Sequence, residues 1–306
     1  MSGLPDLSLS IGGIRLKNPI MPASGTFGYG QEYEDYIDLN QLGAIIVKTI
    51  TLMPKMGSHP HRSTEVSAGF LASIGLQNVG IHRFVEEKLP YFENVDSLLI
   101  VSIGGESIEE YVKLAIILDR QKRVDALEIN ISCPNVDQGG MHFGTDPVAT
   151  KDIVTRVRDV TDKTLIVKLT PLVTDIRLFA RLSQQCGADG VSLINGLPGM
   201  AVDIRTNRSK LGRNVSGGLV GPAIKPFALY LVRQVYESID IPVIGIGGIS
   251  SPEDAIEFFI VGASAIEIGT WNFVNPNIMI EVINGIQDYM MSNNIQELSQ
   301  LIGTFS

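Results

Sequence analysis

The stretch Ala126-Leu127-Glu128-Ile129-Asn130-Ile131-Ser132-Cys133-Pro134-Asn135 runs an alternating apolar segment straight into a thiol flanked by amides. Alternation through Ile131 reads as a β-strand, and Cys133-Pro134-Asn135 ends it, because proline has no N–H to give to a ladder. A free cysteine is among the most buried residue types and commonly only fills space. Cys133 gains a chemical reading because the same arrangement, an apolar strand ending in polar or glycine residues, recurs along the chain.

Seven further runs have it, at residues 20–25, 44–49, 97–104, 164–170, 190–196, 242–248 and 265–270. Helical patterns lie between several of them: Ile108, Val112, Ala115 and Ile116, then Ile153, Val154, Val157 and Val160, at spacings of three and four. Ser251-Pro252-Glu253 opens another, with a capping serine, proline at the first helical position, and an apolar face of Ala255, Ile256, Phe259 and Ile260. Near-continuously apolar strands alternating with helices indicate parallel strands covered on the outside. Eight such units in 306 residues predict an α/β fold, a closed (β/α)8 TIM barrel rather than an open doubly wound sheet. With 44% hydrophobic residues and no internal Ser/Pro/Gly linker, residues 1–306 read as a single barrel domain.

In such barrels the loops at the carboxyl ends of the strands build the site. Ser24, Lys48, Thr49, Asn130, Cys133, Lys168, Asn195, Gly247, Gly248, Gly269 and Thr270 all fall there. Lys48 and Lys168 each follow three apolar residues on a strand, and an ionised lysine in a barrel interior needs a partner. An anionic ligand or cofactor is the expected one, with snorkelling to the strand ends as the plainer reading. Glycines at the ends of the last two strands, Gly247-Gly248 and Gly269, sit where this fold usually holds phosphate, and Ser216-Gly217-Gly218 and Gly221-Pro222 add a glycine loop before them. No G-x-G-x-x-G opens a helix after a strand, so nothing indicates a separate nicotinamide-binding domain.

The segments SGTFGYG (24–30), IIVKT (45–49), IGLQN (74–78), NISCPN (130–135) with GGMHFGTDP (139–147), VKLTP (167–171), NGLPGMAVD (195–203) and SGGLVGPAIKP (216–226) resemble catalytic subunits of class 1 dihydroorotate dehydrogenases, across roughly residues 7–275. The stretch after the cysteine is most similar to the NAD-linked class 1B form. The resemblance implies an FMN-containing barrel, a catalytic homodimer, and a partner subunit carrying FAD and a [2Fe-2S] cluster in a heterotetramer. It implies that Cys133 is the general base, and that Ser24, Lys48, Thr49, Ser102, Asn130, Lys168, Ile194, Gly221, Gly247, Gly248, Gly269 and Thr270 touch FMN. Lys48, Ile74, Gly75, Leu76, Asn130, Asn135, Asn195 and Gly196 would surround the substrate ring. Lys48 and Lys168 join Cys133 as the expected catalytic residues: Lys48 pairs with a carboxylate or a flavin carbonyl, and Lys168 stabilises negative charge on reduced flavin. Asparagines suit a ring that presents both N–H and C=O groups.

Three positions depart from the family. Ala72 stands where an asparagine is usual, Ser102 replaces a flavin-facing asparagine, and Gly196 replaces a threonine or serine. These losses leave open a relative acting on another cyclic amide or dihydropyrimidine-like ring, or a flavin-binding protein kept for a non-catalytic role.

Two cysteines, Cys133 and Cys186, are too few for an iron–sulfur cluster or a disulfide scaffold, and Cys186 is expected in the core. His59, His61, His82 and His142 show no metal-ligand spacing, so no metal is expected. A net charge of −9 argues against nucleic acid and anionic membranes. The amino terminus lacks a basic segment followed by an apolar run and no stretch reaches membrane-spanning length, so a cytoplasmic protein is expected. Residues 51–74 and 134–147 read as long loops beside the substrate, and 277–302 as two helices, 278–291 and 295–302, closing the barrel.

Overall fold

Eight parallel strands form the central sheet of this computed structural model, which describes residues 4–132 and 140–306. They are Ile20–Pro22, Ala44–Ile50, Leu98–Ile103, Ala126–Asn130, Thr164–Lys168, Gly190–Leu193, Val243–Ile246 and Ala265–Ile268, one on each of the eight runs expected from the sequence. Hydrogen-bonded neighbours follow chain order from the second strand to the eighth, and the eighth pairs with the first, Ile266 opposite Ile20. At the remaining seam, Gly43 N–H donates to the Ile20 carbonyl at 3.1 Å. That approach needs glycine, since a Cβ on Gly43 would stand 2.0 Å from the Asn18 carbonyl oxygen. The sheet is therefore a nearly closed (β/α)8 barrel.

Side chains alternate between the two faces of the wall with period two. Outward residues such as Ile45, Val47, Leu99, Val101, Leu127, Ile129, Leu165 and Val167 are buried against the helices. Inward residues at the amino ends, among them Met21, Ala44, Ile46, Ile100, Ala126, Ile166, Ile244 and Ala265, form a separate apolar cluster. Ile11 and Leu16, from the hairpin Leu9–Ile11 and Ile14–Leu16, seal it from below. Two residues further along the same inward rows come Lys48, Ser102, Glu128, Lys168 and Glu267. The barrel interior is thus apolar at its floor and polar at its mouth, and truncating one floor residue to alanine should cost about 2–5 kcal/mol.

Six long helices cover the outside: Ile108–Asp119, Pro147–Arg158, Ile176–Gln185, Lys225–Tyr236, Pro252–Val261 and Ile278–Ser292. Ser107, Asp146, Asp175 and Ser251 cap four of them by accepting an N–H of the first turn. The face of the first helix differs from the one read from the sequence. Tyr111, Leu114, Ala115 and Leu118 are buried, while Ile108, Val112 and Ile116 are only partly so. The helix is turned so that the Tyr111 hydroxyl donates to the Asn130 carbonyl at 2.8 Å. Cys186 is not a helix-face core residue but the C-cap of Ile176–Gln185, half-buried.

Two expected loops also differ. Residues 51–74 contain the antiparallel strands Ser63–Val66 and Gly69–Ala72, which continue into Gly217–Val220 and Leu197–Gly199 as a four-stranded sheet roofing the barrel mouth. The expected loop 134–147 holds the short helix Gly140–Thr145, followed directly by the helix that starts at Pro147. Of the two tail helices the first forms, whereas the second is reduced to the turn Leu298–Gln300. Asn294, at φ 56°, breaks the path between them.

Candidate active site

Barrel mouth and roof enclose a cavity of about 410 Å³, within the range of roughly 300–1,000 Å³ usual for small-molecule and cofactor sites. Its wall gathers Ser24, Lys48, Thr49, Asn130, Lys168, Ile194, Gly221, Gly247, Gly248, Gly269 and Thr270, together with Ile74, Gly75, Leu76, Asn195 and Gly196. Residues as far apart as Ser24 and Thr270 reach it because each stands near the carboxyl end of a barrel strand or in or beside the roof. Ser102 does not line the cavity: it is fully buried, its hydroxyl 3.0 Å from that of Thr49. Cys133 and Asn135 lie outside the described residues.

Glycine makes one end of the cavity. Gly247 and Gly248 follow the seventh strand at φ 129° and 77°, a region that side chains rarely adopt. A Cβ on Gly248 would sit 2.8 Å from the Cβ of Lys225 and 2.9 Å from the Gly221 carbonyl oxygen, so only bare backbone fits there. Lys225 is anchored below by Asp254 at 2.5 Å and Glu257 at 2.9 Å. A cradle of backbone at this position suits a phosphate. Apolar Ile74, Leu76, Ile194, Val220 and Ile246 line the rest and suit the faces of a flat ring system. A planar cofactor with a phosphate tail matches both parts.

A chain of hydrogen bonds fixes the amides. Asn130 donates to Thr49 Oγ1 at 3.1 Å and accepts from the Ser132 hydroxyl at 3.0 Å. Asn195 Nδ2 donates to Ser132 Oγ at 3.0 Å and to its carbonyl at 3.2 Å, while Asn195 Oδ1 accepts from Gly196 N–H. Ser132 therefore ties the fourth strand end to the sixth. The sequence reading passed over it, although a small hydroxyl between Asn130 and Cys133 is the visible signal.

Lys168 is engaged below the cavity. Its Nζ lies 2.7 Å from Glu267 Oε2 and 3.4 Å from Glu128 Oε2, and both glutamates are fully buried. Ser192 donates to Glu128 Oε2 at 3.0 Å. Burial opposes charge on Glu128, yet the Lys168 ammonium and hydrogen bonds from Glu267, Ser102 and Ser192 hold its carboxyl below the ordinary value. Burial and the negative charge of Glu128 push Glu267 well above the ordinary carboxyl range, against the pull of Lys168. Burial also works against the charge on Lys168, which the two carboxyls nevertheless raise above the usual lysine value. The expected partner of this lysine was an anionic ligand; its nearest anions belong to the protein. Glu128 and Glu267 were readable by the same sign as the lysines, a charge on the inward row of an apolar strand.

Comparison with known proteins agrees with this picture. The family described as dihydroorotate dehydrogenase matches residues 6–290. Similar curated proteins include the dihydroorotate dehydrogenase B (NAD(+)) catalytic subunit of Thermoanaerobacter pseudethanolicus, 54% identical over 299 residues and 98% of each chain. The same subunit of Geotalea daltonii is 52% identical over 299 residues, again 98% of each. The crystal structure of DHODH in complex with ferulenol from Eimeria tenella superposes with a TM-score of 0.81 at 21% identity, covering 98% of this chain and 88% of that one, which speaks for the fold.

Proposed function

The chain belongs to the dihydroorotate dehydrogenase family, and on that footing we propose how its residues perform the oxidation of dihydroorotate to orotate. It is an FMN-dependent oxidoreductase of this family, serving pyrimidine biosynthesis. Bound in the cavity, FMN would supply the hydride acceptor for C6 of the substrate. The chain's own residues supply the rest. Cys133 removes the C5 proton, a role that follows from the NISCPN motif and the preference of general bases for groups titrating near the working pH. Lys48 pairs with the substrate carboxylate at the cavity wall. Asn130 and Asn195, oriented through Ser132, meet the ring's polar edge, and the roof sheet, of which Ala72 is part, covers it from water. Lys168, in the cavity wall, would help hold the cofactor and offset the negative charge that reduction brings. Gly221, Gly247, Gly248, Gly269 and Thr270 hold the phosphate, with Ser24, Thr49 and Ile194 along the ring.

The observation that carries this assignment of roles is the convergence of Lys48, Asn130, Lys168 and Asn195 with the glycine cradle on one cavity. The relatives are named as catalytic subunits, so an associated electron-transfer subunit goes with them. For this chain we assign that partner FAD and a [2Fe-2S] cluster, NAD as final acceptor, a homodimeric core within a heterotetramer, and a cytoplasmic location. Among the described residues no helix is long and apolar enough to cross a membrane, which accords with that location.

The deciding experiment is an anaerobic spectrum of FMN-loaded protein as dihydroorotate is added, with Cys133→Ala alongside. Rapid loss of the oxidised-flavin band in the wild type and not in the variant is expected. An unchanged wild-type band would sink the substrate assignment and direct attention to other cyclic amides, consistent with the absence of polar side chains at Ala72 and Gly196.

A further inference from the structure

The Glu128–Lys168–Glu267 group places two carboxyls and one ammonium together in the barrel interior. All three side chains lie within the barrel, Lys168 only 5% exposed and the glutamates not at all. Glu128 Oε1 and Glu267 Oε1 have no hydrogen-bond partner in the set that serves their Oε2 atoms. An unpartnered carboxylate oxygen in such a place is costly, and a carboxyl left without a partner resolves the cost by keeping its proton.

Among the described residues of these inward rows the other cation is Lys48, which is not among the groups that act on either glutamate. Met21 comes from the first strand, Ser102 from the third, Ser192 from the sixth, and Ile244 and Ile246 from the seventh. Lys48 of the second strand lines the cavity above. The charged neighbours that act on each glutamate are Lys168 and the other glutamate. Fully ionised, the group would carry a net negative charge sealed in an apolar wall, beneath a cavity whose ligands are themselves anionic.

We propose that Glu128 and Glu267 hold one proton between them, which makes the group with Lys168 electrically neutral. The proton belongs to the pair rather than to one residue, as in other carboxyl pairs that cannot both ionise. Glu128 and Glu267 are then positioning residues: they fix how much positive charge Lys168 presents to the cavity. For FMN chemistry, which rests on the function proposed above, that charge sets how readily the cofactor is reduced.

Two measurements test this. Infrared spectra of the apoprotein at neutral pH should contain a carboxylic-acid carbonyl band that disappears in both Glu267→Gln and Glu128→Gln, since one remaining carboxyl would ionise as the sole counter-ion of Lys168. The FMN midpoint potential of the holoprotein should stay put in either single variant, because neither changes net charge, and rise in the double variant, which leaves Lys168 unbalanced. Absence of the band from the wild type, or an upward shift in each single variant, would show both carboxylates ionised and overturn the proposal. The infrared test needs no cofactor, so failure to bind FMN would count against the proposed function alone.

Discussion

Ala72 stands opposite Gly218 in the roof sheet, and a Cβ on Gly196 would come within 3.3 Å of the Cα of that same Gly218. Two of the positions that depart from the family's polar residues thus share one neighbour. They differ in the room around them. Gly196 is confined, with Val220 Cγ1 2.9 Å and the Leu219 carbonyl oxygen 3.1 Å from the place a Cβ would occupy, whereas Ala72 is half-buried and already points a methyl at the cavity wall.

Ala72→Asn is therefore expected to restore an amide to the substrate pocket and lower KM for dihydroorotate. One new buried hydrogen bond is worth about 1 kcal/mol, or a severalfold change in KM. Gly196→Ala should instead displace the roof and raise KM. Steady-state kinetics of the two variants side by side checks the contrast, and equal effects would mean that the roof is not shaped by these contacts.

Ser132→Ala removes the hydroxyl that links Asn130 to Asn195 while leaving the backbone in place. Asn195 keeps its bonds to the Ser132 carbonyl and the Gly196 N–H but loses one of three, which should loosen its orientation at a cost of about 0.5–1.5 kcal/mol. KM should rise up to about tenfold with flavin content unchanged. Flavin-to-protein absorbance and kinetics together separate this from a general loss of fold.

Gly248→Ala forces a side chain into the left-handed region and against Lys225. FMN content per chain should fall sharply. Gly13→Ala is the control, because its Cβ would meet only Thr164 Oγ1 at 3.8 Å on the far side of the barrel. Retained flavin in Gly248→Ala would remove the backbone cradle from the phosphate site.

The raised carboxyl of Glu267 gives a pH dependence of stability with a definite sign. A group whose folded value lies above its unfolded value of about 4.3 is protonated in both states at low pH. As pH rises past that value, only the unfolded chain releases the proton, so stability falls until the folded value is reached. The thermal stability of the apoprotein should therefore fall from mildly acidic to neutral pH, and Glu267→Gln should flatten that slope. A steeper slope in the variant would contradict the assignment.

A thiol base with a reference value of about 8.5 makes turnover rise toward alkaline pH. The rate of flavin reduction by dihydroorotate, followed by stopped flow between about pH 6 and 9, should climb accordingly, and Cys133→Ala should abolish it. A flat profile would assign proton removal to another group.

The barrel was legible because its strands are buried on both faces, so runs such as AIIVKTI and ALEIN stand out as nearly continuous apolar segments. The roof was not: Ser63–Val66 and Gly69–Ala72 are short, half-exposed and set among Met, Pro, His and Gly, a composition that signals a loop. The helix at Ile108–Asp119 was found but its face was misjudged, since a tyrosine buried to reach Asn130 carries no weight in an aliphatic pattern. At the site, residue types at strand ends were visible, while the bonds that orient them are tertiary. Nothing local to Ser132 or Glu267 announces a partner some sixty or a hundred positions away.

The seam between Ile20 and Ile266 has a bearing on synthesis. A ribosome releases the first strand long before the eighth, and Asp6 likewise waits for Gln296, whose carbonyl accepts its N–H at 2.8 Å. Until then Ser24 and Lys48 stand on an unfinished wall, and the exposed edges of the growing sheet remain open to other chains. A nascent molecule stalled before Ala265 would hold seven strands and an unfinished cofactor site, so the eighth strand decides whether the first seven become an enzyme.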